Sequence, residues 1–191
     1  VMAYISVENL KDEEYVKKNF IVMCTKKGVI KKTTLEAYSR PRANGIIAIN
    51  VREGDELLEA KLTNGSNEVV LASKAGRAIR FNEEKVRPMG RGASGVRGLK
   101  LSGDKDEVVG MITVEDAQAQ TVLVVSENGY GKRTMLDDED GEAVYRVTNR
   151  GGKGVKTLNV TDKTGALISI KVVTDEDDLM IINKSGIVIR L

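Results

Sequence analysis

The sequence predicts an all-β fold of repeated four-stranded sheets, set side by side as the blades of a propeller-like ring or arc. Three observations predict it. Four segments share one strand–turn–strand pattern, the strands run about five to seven residues between turn residues, and no long segment repeats its apolar residues at the helical period.

The opening VMAYISV, residues 1–7, reads as a closing strand whose own hairpin lies upstream. The hairpins follow as FIVMCTKKGVIKKT from Phe20, VVLASKAGRAIRF from Val69, VLVVSENGYGKRT from Val122 and LMIINKSGIVIRL from Leu179. In each, an apolar strand meets Thr25, Ser73, Ser126 or Asn183, and a glycine (Gly28, Gly76, Gly129 or Gly186) stands three residues on. A Ser, Thr or Asn side chain bonds backbone two residues ahead, and glycine takes the positive φ that a tight turn demands. Four residues after each glycine comes a cation: Lys32, Arg80, Arg133 and Arg190.

A second element follows the first three hairpins, after a polar connection that holds Pro41 and Pro88 in its first two copies. It reads RANGIIAI from Arg42, RGASGVRGL from Arg91 and RGGKGVKTL from Arg150: an arginine, a glycine-rich turn and a strand opening on Gly-Ile or Gly-Val. A third strand closes each unit, as LLEAKL from Leu57, VVGMITV from Val108 and ALISIKVV from Ala166. TLEAYSR (34–40) and NEEKVR (82–87) read as single helical turns. Successive hairpin glycines stand 48, 53 and 57 residues apart, a period that means a stack or ring of small sheets. The chain is thus expected to be one domain, 1–191, with repeats at about 19–66, 67–118 and 119–176, a terminal strand at 1–8 and a terminal hairpin at 177–191. Two arrangements fit its ends: they complete one composite blade, or the chain is an open arc cut from a larger ring.

Composition excludes several classes of function. At 191 residues, 41% hydrophobic and 30% charged, the chain is long enough to bury a core. No apolar run approaches the roughly 18 residues that cross a bilayer and no leader opens the chain, so a soluble intracellular protein with no membrane partner is expected. Without histidine it lacks His-based triads, most zinc sites and the commonest general base. Cys24, the one cysteine, lies in an apolar run and reads as a small buried hydrophobe. The acidic run DDEDGE at 137–142 lacks EF-hand spacing and reads as a solvated loop, so no metal site is expected. GGKG is no Walker loop, because Lys153 is followed by Gly154 and a strand.

The net charge of +2 hides a periodic pattern. Windows holding the hairpin turn and the Arg-Gly element (26–42, 74–100, 129–156) carry 20 Lys and Arg against 8 Asp and Glu. Windows holding the closing strand and the start of the following hairpin (52–68, 101–127, 157–183) carry 5 against 16. Equal phase in a repeat fold means equal spatial position, so each blade is expected to present a basic edge and an acidic edge. A stripe of basic clusters suits a long polyanion, whose regular phosphates release counterions as they are neutralised. Phosphate contacts are accordingly assigned to Arg42, Arg91, Arg150 and Lys153 from the loops, with Lys32, Arg80, Lys132 and Arg133 beside them. The backbone N–H groups of Gly151, Gly152 and Gly154 are expected to approach phosphate where a Cβ would obstruct. For the cations after the hairpins, a strand-edge charge that blocks edge pairing is the competing reading.

Arg150-Gly151-Gly152-Lys153-Gly154 resembles the core of the A-box, Q-R-R-G-G-K-G, of the C-terminal domain family of the DNA gyrase A subunit. KKGVIKKT (27–34), VRPMGRGASGVRGLKL (86–101) and ENGYGKRT (127–134) resemble successive blade motifs of that family, so the likeness covers essentially the whole chain. Thr148 and Asn149 stand where the box has Gln and its first Arg, and the family ring has six blades where this chain holds about four. The resemblance implies a β-pinwheel, a ring with strand exchange between neighbouring blades, whose basic perimeter binds, bends and wraps double-stranded DNA without reading its sequence. It implies a non-catalytic part of an ATP-hydrolysing type II topoisomerase that introduces negative supercoils. The partners implied are the gyrase B subunit, together with the N-terminal region of the A subunit, in a heterotetramer located in the cytoplasm at the nucleoid. No cofactor is expected in this part; ATP and Mg belong to other parts of the holoenzyme. The alternatives are the C-terminal domain of the topoisomerase IV A-type subunit, or a propeller-like protein-interaction scaffold working through the acidic edge.

Overall fold

The computed structural model describes residues 1–137 and 143–191; most of the acidic run, 138–142, lies outside the described residues. The first hairpin pairs β1 (Phe20–Thr25) with β2 (Val29–Thr34), and β3 (Leu57–Thr63) returns along the other edge of β1. The next repeat supplies the hairpin β4 (Glu68–Ser73) and β5 (Arg77–Asn82), the two-residue β6 (Val96–Arg97) and the closing strand β7 (Val108–Val114). The third gives β8 (Thr121–Ser126), β9 (Gly131–Met135), β10 (Val155–Lys156) and β11 (Leu167–Val173), and β12 (Met180–Ile182) with β13 (Val188–Arg190) forms the last hairpin.

All pairing between these strands is antiparallel, and the sheets do not follow the repeat boundaries. The first sheet has the order β3-β1-β2-β6 and the second β10-β5-β4-β7, so each takes its fourth strand from the repeat that follows. The third sheet, β11-β8-β9, has three strands among the described residues, and β12-β13 stands as a pair. The Arg-Gly element therefore belongs in space to the preceding hairpin. Its fixed glycine explains the exchange: Gly95 and Gly154 have φ of +98° and +67°, and a Cβ on either would run into the carbonyl oxygen of Ile30 or Ala78 on the neighbouring strand. Only glycine lets the chain turn this close to that edge.

Stacking of the sheets explains why the hairpin strands are apolar on both faces rather than alternating. On β1, Val22 and Cys24 face a core shared with Val69, Leu71, Ile79 and Phe81 of the second sheet, while Ile21 and Met23 face another lined by Val16 and Leu35. On β4, Val70 and Ala72 turn from the second sheet to Val122, Val124 and Leu167 of the third. A sheet buried on both faces reads as a continuous apolar run. Cys24 is fully buried, and burial pushes its thiol well above the ordinary range.

The two helical turns form as short 3₁₀ segments, Leu35–Tyr38 and Glu83–Lys85. Three local expectations are corrected. Residues 1–7 form no strand, although Ile5 and Val7 pack against the outer face of the first sheet. The segment from Gly45 to Asn50 is not a strand either; it is the counterpart of β6 and β10, and it pairs with no hairpin edge among the described residues. A six-residue helix, α1 (Glu13–Lys18), stands where the sequence pattern signals none. Asp12 caps it by accepting from the backbone N–H of Glu14 and Tyr15, and Val16 buries its inner face.

Candidate nucleic-acid interface

The Arg-Gly loops run along the outer edge of each hairpin. Parallel bridges join Pro88 to Lys32 and Val147 to Arg80, and the backbone N–H groups of Met89 and Thr148 donate to the carbonyls of Lys32 and Arg80. Equal sequence phase has become equal position. Arg42, Ile46, Ile47, Arg91 and Gly92 line one groove between consecutive loops, of about 400 Å³. Arg146, Thr148, Asn149, Arg150 and Lys153 line a second, of about 700 Å³, against β5. Arg42 and Lys153 are exposed and Arg91 and Arg150 half-buried. The expected loop cations are thus brought to one rim, in two adjoining clusters.

The cations after the hairpins behave otherwise, and two assigned phosphate contacts are corrected. Lys32 is buried, with its ammonium 3.3 Å from the fully buried Glu83 carboxylate and over the Phe20 ring. Glu83 also accepts from the hydroxyl of Thr63 and the backbone N–H groups of Gly65 and Asn67. Arg80 is buried too: its Nε donates to Glu68 at 2.6 Å, and one Nη donates to Asp137 at 2.7 Å and to the carbonyls of Leu136 and Tyr145. Burial works against the guanidinium charge, and the bonds to Asp137 and Glu68 more than offset it, holding its pKa above the ordinary value. An arginine so enclosed meets no phosphate. Its competing reading as a solvated edge charge fails as well, because it pins the next repeat to the hairpin. Lys132 is exposed. Arg133 keeps 41% of its side chain exposed while pairing with Asp175 at 2.7 Å and donating to Thr121, and Arg190 pairs with Asp178.

One of the three glycine N–H assignments, that of Gly151, is corrected as well. Gly151 donates its N–H to the Gly98 carbonyl at 2.6 Å, and the Gly152 carbonyl accepts from Lys100. Gly154 is packed on Ala78, and Arg77 binds the carbonyls of Lys153 and Gly154. These glycines serve close packing of the loop.

Charge sorting also proves finer than the phase windows suggested. The hairpin turns, counted with the basic phase, lie against the acidic loops: Asp55 accepts from the backbone N–H of Lys27, Asp106 accepts from that of Ala75, and Lys26 pairs with Glu56 at 2.7 Å. Part of the acidic edge is therefore turn capping, while the Arg-Gly loops carry exposed cations with no ion pair among the described residues. There the sequence reading passed over a row. Arg40, Arg87 and Arg146 occupy one phase, are all exposed, and form no ion pair among the described residues. The Arg-Pro dipeptides at 40–41 and 87–88 were the available signal.

Lys31 neighbours this rim from inside. It has no exposed surface, and its Nζ donates to the carbonyls of Ala48, at 2.6 Å, and Arg91. Burial, with the charge of Arg91 nearby, pushes its pKa down to about 8. Two carbonyls match the two N–H bonds of a neutral amine, so the site holds either form.

The family model described as DNA gyrase C-terminal domain, beta-propeller, matches residues 19–64, 67–115 and 120–174, which together make up most of the chain. The chain belongs to the DNA gyrase C-terminal domain family. The DNA gyrase A subunit of Staphylococcus aureus strain MRSA252 is 44% identical over all 191 residues, and the chain spans 20% of that subunit's length. Among solved structures, the C-terminal domain of DNA topoisomerase IV superposes with a TM-score of 0.83 at 22% identity, covering 98% of this chain and 55% of that one. The DNA gyrase A C-terminal domain superposes with a TM-score of 0.76 at 25% identity, covering 98% and 58%. The topoisomerase IV likeness is one of fold, whereas sequence places the chain with gyrase, so the topoisomerase IV alternative is not favoured. The exchange of β6 and β10 between sheets is the β-pinwheel form of the gyrase domain's propeller-like fold. No helix among the described residues is long and apolar enough to cross a membrane.

Proposed function

We propose that this chain binds, bends and wraps double-stranded DNA on its basic rim, as the C-terminal domain of a gyrase A subunit in an ATP-dependent, negatively supercoiling type II topoisomerase. The observation that carries the reading is the recurrence, at one repeat phase on consecutive outer loops, of exposed cations with no ion pair among the described residues: Arg40 with Arg42, Arg87, and Arg146 with Lys153. Charges repeated on consecutive loops match phosphates repeated along a duplex, and each further phosphate met along that row helps to offset the few kcal/mol of elastic bending over tens of base pairs. Nothing in such a row selects a base, so binding is indifferent to sequence.

The catalytic steps fall to other parts of the holoenzyme, with ATP and Mg bound elsewhere. The proposed partners are the gyrase B subunit, together with the N-terminal region of the A subunit, in a cytoplasmic heterotetramer at the nucleoid. A salt titration of binding to a labelled duplex tests the reading. With about six phosphates neutralised, affinity falls about a thousandfold between 50 and 200 mM salt. A flat salt response, or affinity confined to one sequence, refutes it.

A further inference from the structure

The arginines of the second and third Arg-Gly loops reach backwards. The Nη1 of Arg91 donates to the Ile47 carbonyl at 3.3 Å, and that of Arg150 donates to the Arg97 carbonyl at 3.1 Å. The two acceptors are equivalent, since Ile47 stands two residues after Gly45 and Arg97 two after Gly95. Backbone bonds repeat the same stitch. The N–H of Asn50 donates to the Ala93 carbonyl and the N–H of Lys100 to the Gly152 carbonyl, again at matched positions. Arg150 adds a bond from Nε to the Lys85 carbonyl at 3.0 Å, and Gly151 bonds Gly98. The second and third basic loops are thereby each tied to the loop of the preceding repeat, outside the sheet ladders and beyond the shared cores.

We propose that Arg91 and Arg150 are positioning residues that lock consecutive loops together and so set the curvature along which the duplex is bent, while the exposed row Arg40, Arg87 and Arg146 supplies phosphate contacts. The proposal rests on the DNA-binding reading above. Its chemistry lies in the guanidinium: a planar fork with five donors holds a carbonyl of the neighbouring loop and still presents N–H groups outward. Lysine carries the same charge as a single flexible point and does not reproduce the fork. Charge and geometry are therefore separable by substitution.

The test compares R91K/R150K, the milder R150K, and R87Q/R146Q with the parent chain. Three quantities are read: the salt slope of duplex binding, the linking-number change trapped when nicked circles are ligated with protein bound, and amide exchange at Lys100 and Gly151 without DNA. The lysine variants are expected to keep the parent salt slope and bind within about threefold, to lose most of the linking-number change, and to exchange these amides at least tenfold faster. R87Q/R146Q is expected to lower the salt slope by roughly 1.8, at about 0.9 for each lost phosphate contact, and to leave the linking-number change per bound protein intact. Parent-like linking number and protection in both lysine variants overturns the strap and leaves the DNA reading standing. Absence of duplex binding by the parent chain overturns both.

Discussion

Replacing Arg80 with methionine is the sharpest test of the division between buried and rim cations. Methionine keeps much of the stem volume and removes the guanidinium. The side chain of Arg80 is 2% exposed, and those of its partners Glu68 and Asp137 are 23% and 17% exposed. The substitution strands two largely enclosed carboxylates and two carbonyls, those of Leu136 and Tyr145. Removing one side of a buried ion pair costs about 3–5 kcal/mol, and the residual exposure of both carboxylates places this case near the lower end, about 3 kcal/mol. For a chain of this size each kcal/mol lowers Tm by roughly 2–4 °C, so a drop of about 6–12 °C is expected. Urea unfolding and thermal melts measure the loss. R80M/E68Q/D137N should recover much of it, because neutral amides leave no uncompensated charge. Duplex binding of folded Arg80→Met should keep the parent salt slope. A variant as stable as the parent, or one whose slope falls by about 0.9 with stability unchanged, would mean that Arg80 faces a solvent-side anion and that the burial argument is wrong.

Other outcomes follow from the same geometry. Gly154→Ala forces a left-handed residue costing about 1–2 kcal/mol and drives a methyl into the Ala78 carbonyl, so urea unfolding should show a loss above about 2 kcal/mol. Lys31→Met changes the pH dependence. The folded pKa, about 8, lies below the unfolded value of about 10.4, so between these limits the folded chain has released a proton that the unfolded chain still holds. Stability of the parent relative to Lys31→Met should therefore rise with pH across that window, by at most about 1.4 kcal/mol per unit; a flat difference from pH 7 to 10 would refute it. Asp12→Ala removes the acceptor capping α1 and should cost about 1 kcal/mol in a thermal or urea melt, with duplex binding unchanged.

The repeat, its turn glycines, the hairpins and the closing strands β3, β7 and β11 were legible in the amino-acid order, because each rests on local chemistry: Ser, Thr or Asn before a positive-φ glycine, flanked by apolar runs. So were the phase of the Arg-Gly loops and the burial of Cys24. What the order of residues could not state was which sheet each Arg-Gly strand joins, since β6 and β10 are two residues long and their pairing is decided by contact with a different repeat. The same limit misassigned Lys32 and Arg80. Their partners, Glu83 and Asp137, lie 51 and 57 positions away, and a cation beside a hairpin turn looks identical in sequence whether it meets water or a buried carboxylate. Counting charge by phase placed the hairpin turns with the basic loops, although folding lays them against Asp55 and Asp106. Local rules name the elements of this chain; desolvation and long-range pairing, which exist only once the sheets stack, decide which of its charges remain for a partner.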